Sequence, residues 1–283
     1  MRDRHADRRR KRGLRTLPIY ALLVVACFFA VTPVAWTALC SIRPISELYL
    51  GKVTLPSVVT FEYYKRVLSQ TAFITYFLNS IKVAGLATII STVIGATAGY
   101  SLSRFRVPGG HQYGVFLLLI QMFPPVLLVI PLFLLIKSFG LLNTHIGLIC
   151  LYPTLTLPFT TWMLRGFFDT IPRQLEEAAM IDGATWTQSF LRVILPVSGP
   201  GIATVAIYSF LLAWNEFIFA LVLVQTKALR TLPLGLAAYM EDFGIRWDLL
   251  LPSATMAALP MMIFFMFMQR FLVKGLTAGA VKG

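Results

Sequence analysis

From Leu17 to Leu39 the chain runs for 23 residues without one charged side chain, and five further long apolar stretches follow it. A helix needs about 20 apolar residues to cross the hydrocarbon core of a bilayer. Repeated runs of this length exceed what a soluble core requires. Inside lipid every backbone polar group must find a partner within the protein, which leaves helices or closed barrels. Composition points the same way: 57% of residues are hydrophobic and 13% charged, against about 25% charged in an ordinary soluble domain. Most soluble enzymes and all disordered chains are thereby excluded. The formal charge of +13 has the sign of a nucleic-acid binder, but such proteins are not this apolar, and no nucleic-acid partner is expected. The 283 residues hold one integral membrane domain of several helices and little besides.

The apolar stretches predict six spans, at about 17–39, 80–102, 113–136, 146–168, 202–224 and 250–272. The second is rich in Gly, Ala, Ser and Thr, which let helices approach closely in lipid. The third carries Pro124, Pro125 and Pro131, so a kink is expected there. Ahead of the first span stand Arg2, Arg4, Arg8, Arg9, Arg10, Lys11, Arg12 and Arg15 against Asp3 and Asp7. This run reads as the cytoplasmic flank of an uncleaved span, with a nucleic-acid arm or a plain solvated tail as rivals. A cleaved signal peptide would have a shorter apolar region and a small-residue cleavage site, which residues 37–40 do not offer. With both termini inside, sixteen Lys and Arg fall on the cytoplasmic side and eight outside, the bias the positive-inside rule requires. The predicted fold is therefore an all-α polytopic bundle, N-in and C-in. It divides into a basic tail (1–16), a six-span transmembrane domain (17–276) and a C-terminal tail (277–283).

Between spans one and two, Pro56 to Thr60 reads as a turn, and 61–68 as an amphipathic helix serving either as a packing element or as a docking surface. Cys27, Cys40 and Cys150 lie in or beside apolar stretches with no ligand spacing and read as small buried residues. His5, His111 and His145 are scattered, and neither a metal site nor a catalytic triad can be assembled.

The loop at 169–200 is too long for a simple connection and too orderly for a linker. Pro172 suits a first helical turn, residues 173–181 (RQLEEAAMI) are strong helix formers, and Asp182-Gly183 is a stop signal. Thr185-x-x-Gln188 is a capping-box pattern that opens a second helix. A helix-turn-helix results, with Glu176, Glu177 and Asp182 expected on its exposed face. In span five, Glu216 is the one acid inside a predicted span. An intramembrane carboxylate is costly and therefore a functional candidate. With Trp214 and Asn215 beside it, it could offer a solute a stacking face and hydrogen bonds; equally, it could cap or pair within the bundle. Gln121 with Pro124 is a second candidate for a path-lining kink.

The loop carries a resemblance. Glu177-Ala178-Ala179, three residues, Gly183, nine residues, then Val193-Ile194-Leu195-Pro196 is similar to the EAA loop of ABC importer permeases (E-A-A-x3-G-x9-I-x-L-P), with Val193 in place of Ile. Gln121-Met122-Phe123-Pro124, Leu142-Asn143-Thr144-His145, Trp214-Asn215-Glu216-Phe217 and the run 275–283 resemble the smaller permease subunit of maltose-type carbohydrate importers. The resemblance implies that Glu176, Glu177, Ala178, Ala179, Asp182, Gly183, Leu195 and Pro196 form a coupling loop that docks on an ATPase. It also implies that Thr277, Gly279 and Lys282 belong to a tail facing that ATPase. The chain has no Gly-x4-Gly-Lys-Ser/Thr phosphate loop, so ATP and Mg are expected in a partner and no cofactor in this chain. The partners implied are a second homologous permease, two ATP-binding cassette subunits and an extracytoplasmic sugar-binding protein, assembled in a prokaryotic inner membrane. Other ABC solutes (a polyol phosphate, a peptide or an amino acid) remain alternatives. An ion-coupled secondary transporter would call for inverted repeats and more intramembrane charge.

Overall fold

The computed structural model describes residues 2–50, 55–241 and 244–280, with side chains described for 18–50, 55–110, 112–240, 244–267 and 269. Its helices in chain order are α1 (Arg2–Ser41), α2 (Ile45–Tyr49), α3 (Glu62–Gln70), α4 (Phe73–Arg104), α5 (Gly110–Met122), α6 (Val129–Ser138), α7 (His145–Asp169), α8 (Gln174–Ile181), α9 (Trp186–Ser189), α10 (Leu195–Val197), α11 (Gly199–Asn215), α12 (Ile218–Leu223), α13 (Leu232–Ala237) and α14 (Trp247–Ala280). Extended pairing among the described residues is limited to two-residue strands, Met240–Glu241 with Gly244–Ile245. The described residues are predominantly helical, as apolar stretches of about 20 residues predict.

Four helical stretches are long and apolar enough to cross a membrane: Pro18–Ser41 of α1, α4, α7 and Trp247–Phe267 of α14. Two more qualify only as bent pairs, Gln112–Met122 with Pro125–Ser138 (94°) and Trp186–Val197 with Gly199–Asn215 (79°). The kink expected in the third stretch is thus a near right angle. Pro124 and Pro125 stand in succession and neither can donate the helical i→i−4 bond. The continuous span expected over 202–224 is corrected too: α11 ends at Asn215, Glu216 is extended (φ −67°, ψ 127°) and α12 restarts at Ile218.

The chain separates into two compact units. One comprises Met1–Gln70 and Glu241–Met256. Here α3, expected to be amphipathic, serves as a packing element. Val67 is fully buried, the Tyr64 hydroxyl lies 2.5 Å from Ser41 Oγ, and the Tyr63 hydroxyl accepts from the Ile45 N–H at 3.0 Å. Arg66 reaches Glu62 at 2.9 Å and Asp248 at 3.3 Å.

The other unit comprises Thr71–Met240 and Ala257–Gly283. Its spine is the pair α4 and α7, on which α11 also packs. The buried face of α4 includes Ser91, Gly95, Gly99 and Ser103, each four residues from the last. This spacing lays a strip of small residues along one helix face and lets the two backbones close in. A Cβ on Gly99 would lie 2.9 Å from the Arg165 backbone nitrogen and 3.0 Å from the Thr161 carbonyl oxygen. Ser91 Oγ and Thr156 Oγ1 meet across the seam at 2.7 Å. At one end of the seam Ala96, Tyr100, Leu164, Phe168, Phe190, Ile194 and Val205 form a buried cluster. By contrast α5 and α6 bury little; Leu117 and Ile136 are exceptions.

Candidate functional site

Residues 169–200 form two short helices around a tight turn; Pro172 precedes α8, whose N-cap is Arg173, rather than forming its first turn, while the stop and capping signals have structural counterparts. Helix α8 ends in a Schellman arrangement: the Gly183 N–H donates to Met180 O (3.0 Å) and the Ala184 N–H to Ala179 O (2.9 Å). Gly183 has φ +86°, which glycine adopts without steric cost. Thr185 then caps α9. Its Oγ1 accepts from the Gln188 N–H (3.3 Å), while Gln188 Oε1 accepts from the Thr185 N–H (2.9 Å). A π-helical turn, Phe190–Ile194, follows before α10. Pro196, in α10, has no N–H to offer the Arg192 carbonyl four residues back, so the ladder cannot stay α-helical there.

The two adjacent acids of α8 face opposite ways. Glu177, Ala178, Asp182 and Gly183 are exposed, as is Pro196; Ala179 and Leu195 are half-buried. Ile181 is 87% exposed and Trp186 47%, so the free surface of this module is apolar as well as acidic. Glu176, expected beside Glu177 on the exposed face, is instead buried. Its Oε1 accepts from Arg104 Nε at 2.7 Å, and both side chains are 3% exposed. The guanidinium closing α4 draws it inward, since a buried cation requires a counter-charge. Helix α9 and the π-helical turn after it are held by rings: Phe105 lies 5.2 Å from Trp186 and Tyr100 lies 4.5 Å from Phe190, centroid to centroid.

At the α11–α12 break, Glu216 Oε1 accepts from the Phe219 N–H (2.7 Å) and Oε2 from the Ala220 N–H (3.1 Å). The carboxylate satisfies the first free donors of α12 and opposes the positive end of its dipole. Asn215 is exposed and its Nδ2 donates back to Leu211 O at 2.8 Å. Trp214 is 3% exposed, stacked on Phe210 at 5.5 Å and edge-on to Phe77 at 5.9 Å. It presents no free stacking face, because the aromatic side chains of α4 and α11 meet around it. Gln121 and Pro124 are exposed, and Gln121 Nε2 donates to the Tyr208 hydroxyl at 3.0 Å.

Sequence reasoning missed a strap at 224–232. Asn143, the one non-glycine among the described residues with positive φ (+56°), accepts from the N–H groups of Gln225 (3.0 Å) and Thr226 (2.9 Å) through one oxygen and donates to Thr226 Oγ1 (2.8 Å). Asn79 donates to the carbonyls of Ala228 and Arg230 at 2.8 and 2.9 Å, and the Leu232 N–H donates to Ser80 Oγ at 2.7 Å. The Leu142-to-His145 motif contained the signal, but nothing local revealed its partners.

Two of the three cysteines, Cys27 and Cys150, are exposed rather than buried; helix faces turned to lipid need no burial within the chain. Among the described residues no group of three or more His, Cys, Asp or Glu could hold a metal ion. Thr277 and Gly279 continue the backbone of α14, with their side chains outside the described residues; Lys282 lies outside them altogether, as do the side chains of the basic tail.

A protein family described as "Binding-protein-dependent transport system inner membrane component" matches residues 91–278. The trehalose transport system permease protein SugB of Mycobacterium tuberculosis is 38% identical over 96% of this chain and 100% of its own. The diacetylchitobiose uptake system permease protein DasC of Streptomyces coelicolor is 36% identical over 92% and 95%. The trehalose/maltose transport system permease protein MalG of Thermococcus litoralis is 36% identical over 93% and 94%. Among solved structures, a chain of a bacterial ABC transporter that imports the acidic polysaccharide alginate has a similar fold. Its TM-score is 0.77 at 24% identity, over 91% of this chain and 96% of that one.

Proposed function

The chain belongs to the family of binding-protein-dependent transport system inner membrane components, and on that premise we propose that it forms one half of the path by which an ABC importer admits a sugar or short oligosaccharide. The observation that carries the reading is the similarity, over more than nine-tenths of the chain, to permeases named for trehalose, maltose and diacetylchitobiose. Permease subunits of this family are generally non-catalytic. ATP and Mg belong in this reading to two ATPase partners, and a second permease of similar design completes the path. An extracytoplasmic binding protein delivers the sugar. A solved alginate importer holds a periplasmic protein carrying an alginate pentasaccharide, which supports that last partner.

In the proposed topology six spans place both termini in the cytoplasm, with the two bent pairs as interrupted spans. The module α8–α9 faces the ATPase as the coupling loop. Glu177, Ala178, Asp182 and Gly183 form its exposed surface, Ala179 allows close approach, and Leu195 and Pro196 lead back to the membrane. The exposed Ile181 and Trp186 suit burial in a protein groove. Thr277, Gly279 and Lys282 belong to a tail directed at the same partner. Gln121, Pro124, Asn215 and Glu216 line the path at its two breaks, with Trp214 supporting them from behind. ATP binding draws the ATPases together, the loop follows, and the bundle exchanges one access state for the other. A ligand shifts that equilibrium only by its differential affinity for the two states.

Purification of the tagged chain from its native membrane in mild detergent tests the proposal. Recovery of an ATPase and a second permease is expected. ATP-driven uptake of trehalose, maltose or diacetylchitobiose by the reconstituted complex is expected too. Recovery of the chain alone, under conditions that keep a known importer intact, would overturn it.

A further inference from the structure

Of the eight residues of α8, Glu176 is the one that is buried. The helix thus fixes itself to the rest of its unit through a charge. An apolar side chain in that position would hold α8 by a non-directional force and tolerate rotation or sliding. A buried carboxylate on a guanidinium tolerates neither, because displacement strands two desolvated charges. Each nitrogen of the Arg104 fork is engaged: Nε donates to Glu176, Nη1 to Ser103 Oγ (3.2 Å) and Nη2 to the Ile171 carbonyl (3.0 Å). Ser103 Oγ donates to Asp169 Oδ1 at 2.6 Å, and Arg173 Nη2 to the Ser103 carbonyl at 3.3 Å. One network therefore joins the last turn of α4 to the last residue of α7, to the connector at 171 and to both ends of the α8 entry. Trp186 of α9 and Phe190 just beyond it meet Phe105 and Tyr100 ring on ring, contacts that can shift without stranding a charge.

We infer that the Arg104–Glu176 pair is the joint that makes α4 follow α8, so that the two neighbouring acids divide the work: Glu177 meets the ATPase and Glu176 is a positioning residue that passes the movement on. The inference rests on the coupling-loop reading and is narrower than it. That reading alone would let any helix of similar surface serve, whereas the joint requires a directional bond between α8 and α4.

Spin labels at Gln174→Cys and Thr97→Cys, both exposed positions, report the α8–α4 distance in a chain whose three native cysteines are replaced by Ser. The complex is purified with whatever ATPase it retains and measured with and without MgATP and vanadate. In the otherwise native chain one narrow distance population is expected, unchanged by nucleotide. In E176Q and in R104M/E176M, which leaves no lone charge, that population broadens and becomes nucleotide-dependent while the ATPase still co-purifies. Sugar taken up per ATP hydrolysed falls about tenfold in these two variants.

An unchanged narrow population in both E176Q and R104M/E176M overturns the joint. So does loss of ATPase binding in E176Q equal to that in E177A, since Glu176 would then be part of the docking surface. If E176Q fails to accumulate, R104M/E176M decides; if that variant fails as well, the pair is a folding element and the inference falls. Failure of the native chain to retain an ATPase would instead sink the coupling-loop reading, and the distance measurement would still judge the joint.

Discussion

The α4–α7 seam and the elbow between α5 and α6 are written in the same apolar alphabet and differ in how much room they leave. Along the seam, Gly95 and Gly99 meet the backbone and Thr160 of α7 at distances that exclude a methyl group. In the elbow, Ile130 is 72% exposed and the consecutive prolines leave the two helical arms at 94°. Hydropathy is blind to this contrast. What separates them is side-chain volume and the supply of backbone donors: small residues close one contact and missing N–H groups open the other.

The largest effect should follow from filling the seam. In Gly99→Ala the new carbon meets backbone atoms that cannot swing aside, so α7 must shift. A loss of about 2–3 kcal/mol is expected, read as a lower thermal midpoint in detergent. Gly85→Ala on the same helix, where a Cβ meets nothing within 4 Å, should be neutral or slightly stabilising. Equal losses in the two would dissolve the distinction between seam and surface.

The break at Glu216 lies between the extremes. Glu216→Ala removes the acceptor for two N–H groups and should cost about 1–2 kcal/mol. Glu216→Gln retains an acceptor oxygen and should recover much of that stability. Stability recovered without sugar uptake would assign the carboxylate a role toward the solute beyond capping.

Within the seam, a Ser91→Ala/Thr156→Val double-mutant cycle should return a coupling of about 0.6 kcal/mol, the average for hydrogen bonds between membrane helices. The smallest effect belongs to the elbow: Ile130→Ala in the isolated chain should change stability by less than about 0.5 kcal/mol. A larger loss in the assembled complex would show that a partner covers this face.

Much of the fold was legible because its signals are local. The capping box at Thr185 and Gln188, the glycine turn at Gly183 and the small-residue face of α4 each depend on spacings of a few residues. The side of α8 on which Glu176 falls was not legible. Two adjacent glutamates have equal claims on solvent, and the choice is made by Arg104, 72 residues earlier. The interruption at Glu216 was hidden for a related reason. No glycine or proline marks residues 211–219, so hydropathy runs straight through, and only the carboxylate's bonds to the next helix reveal a restart. Trp214 read as a binding surface because an aromatic beside an amide and an acid resembles one; its burial depends on Phe77, far off in the sequence.

The strap at 224–232 has a consequence for the order in which the molecule is made. Its anchors lie 82 to 152 residues from the groups they hold. Contacts so distant in sequence close only after the intervening chain has been placed, and their entropy cost is met late. During synthesis Asn79, Ser80 and Asn143 emerge long before their partners. The strap can fasten only once α11 and α12 have followed α4 and α7, so its closure comes after those four helices and before the part of α14 that belongs to the same unit.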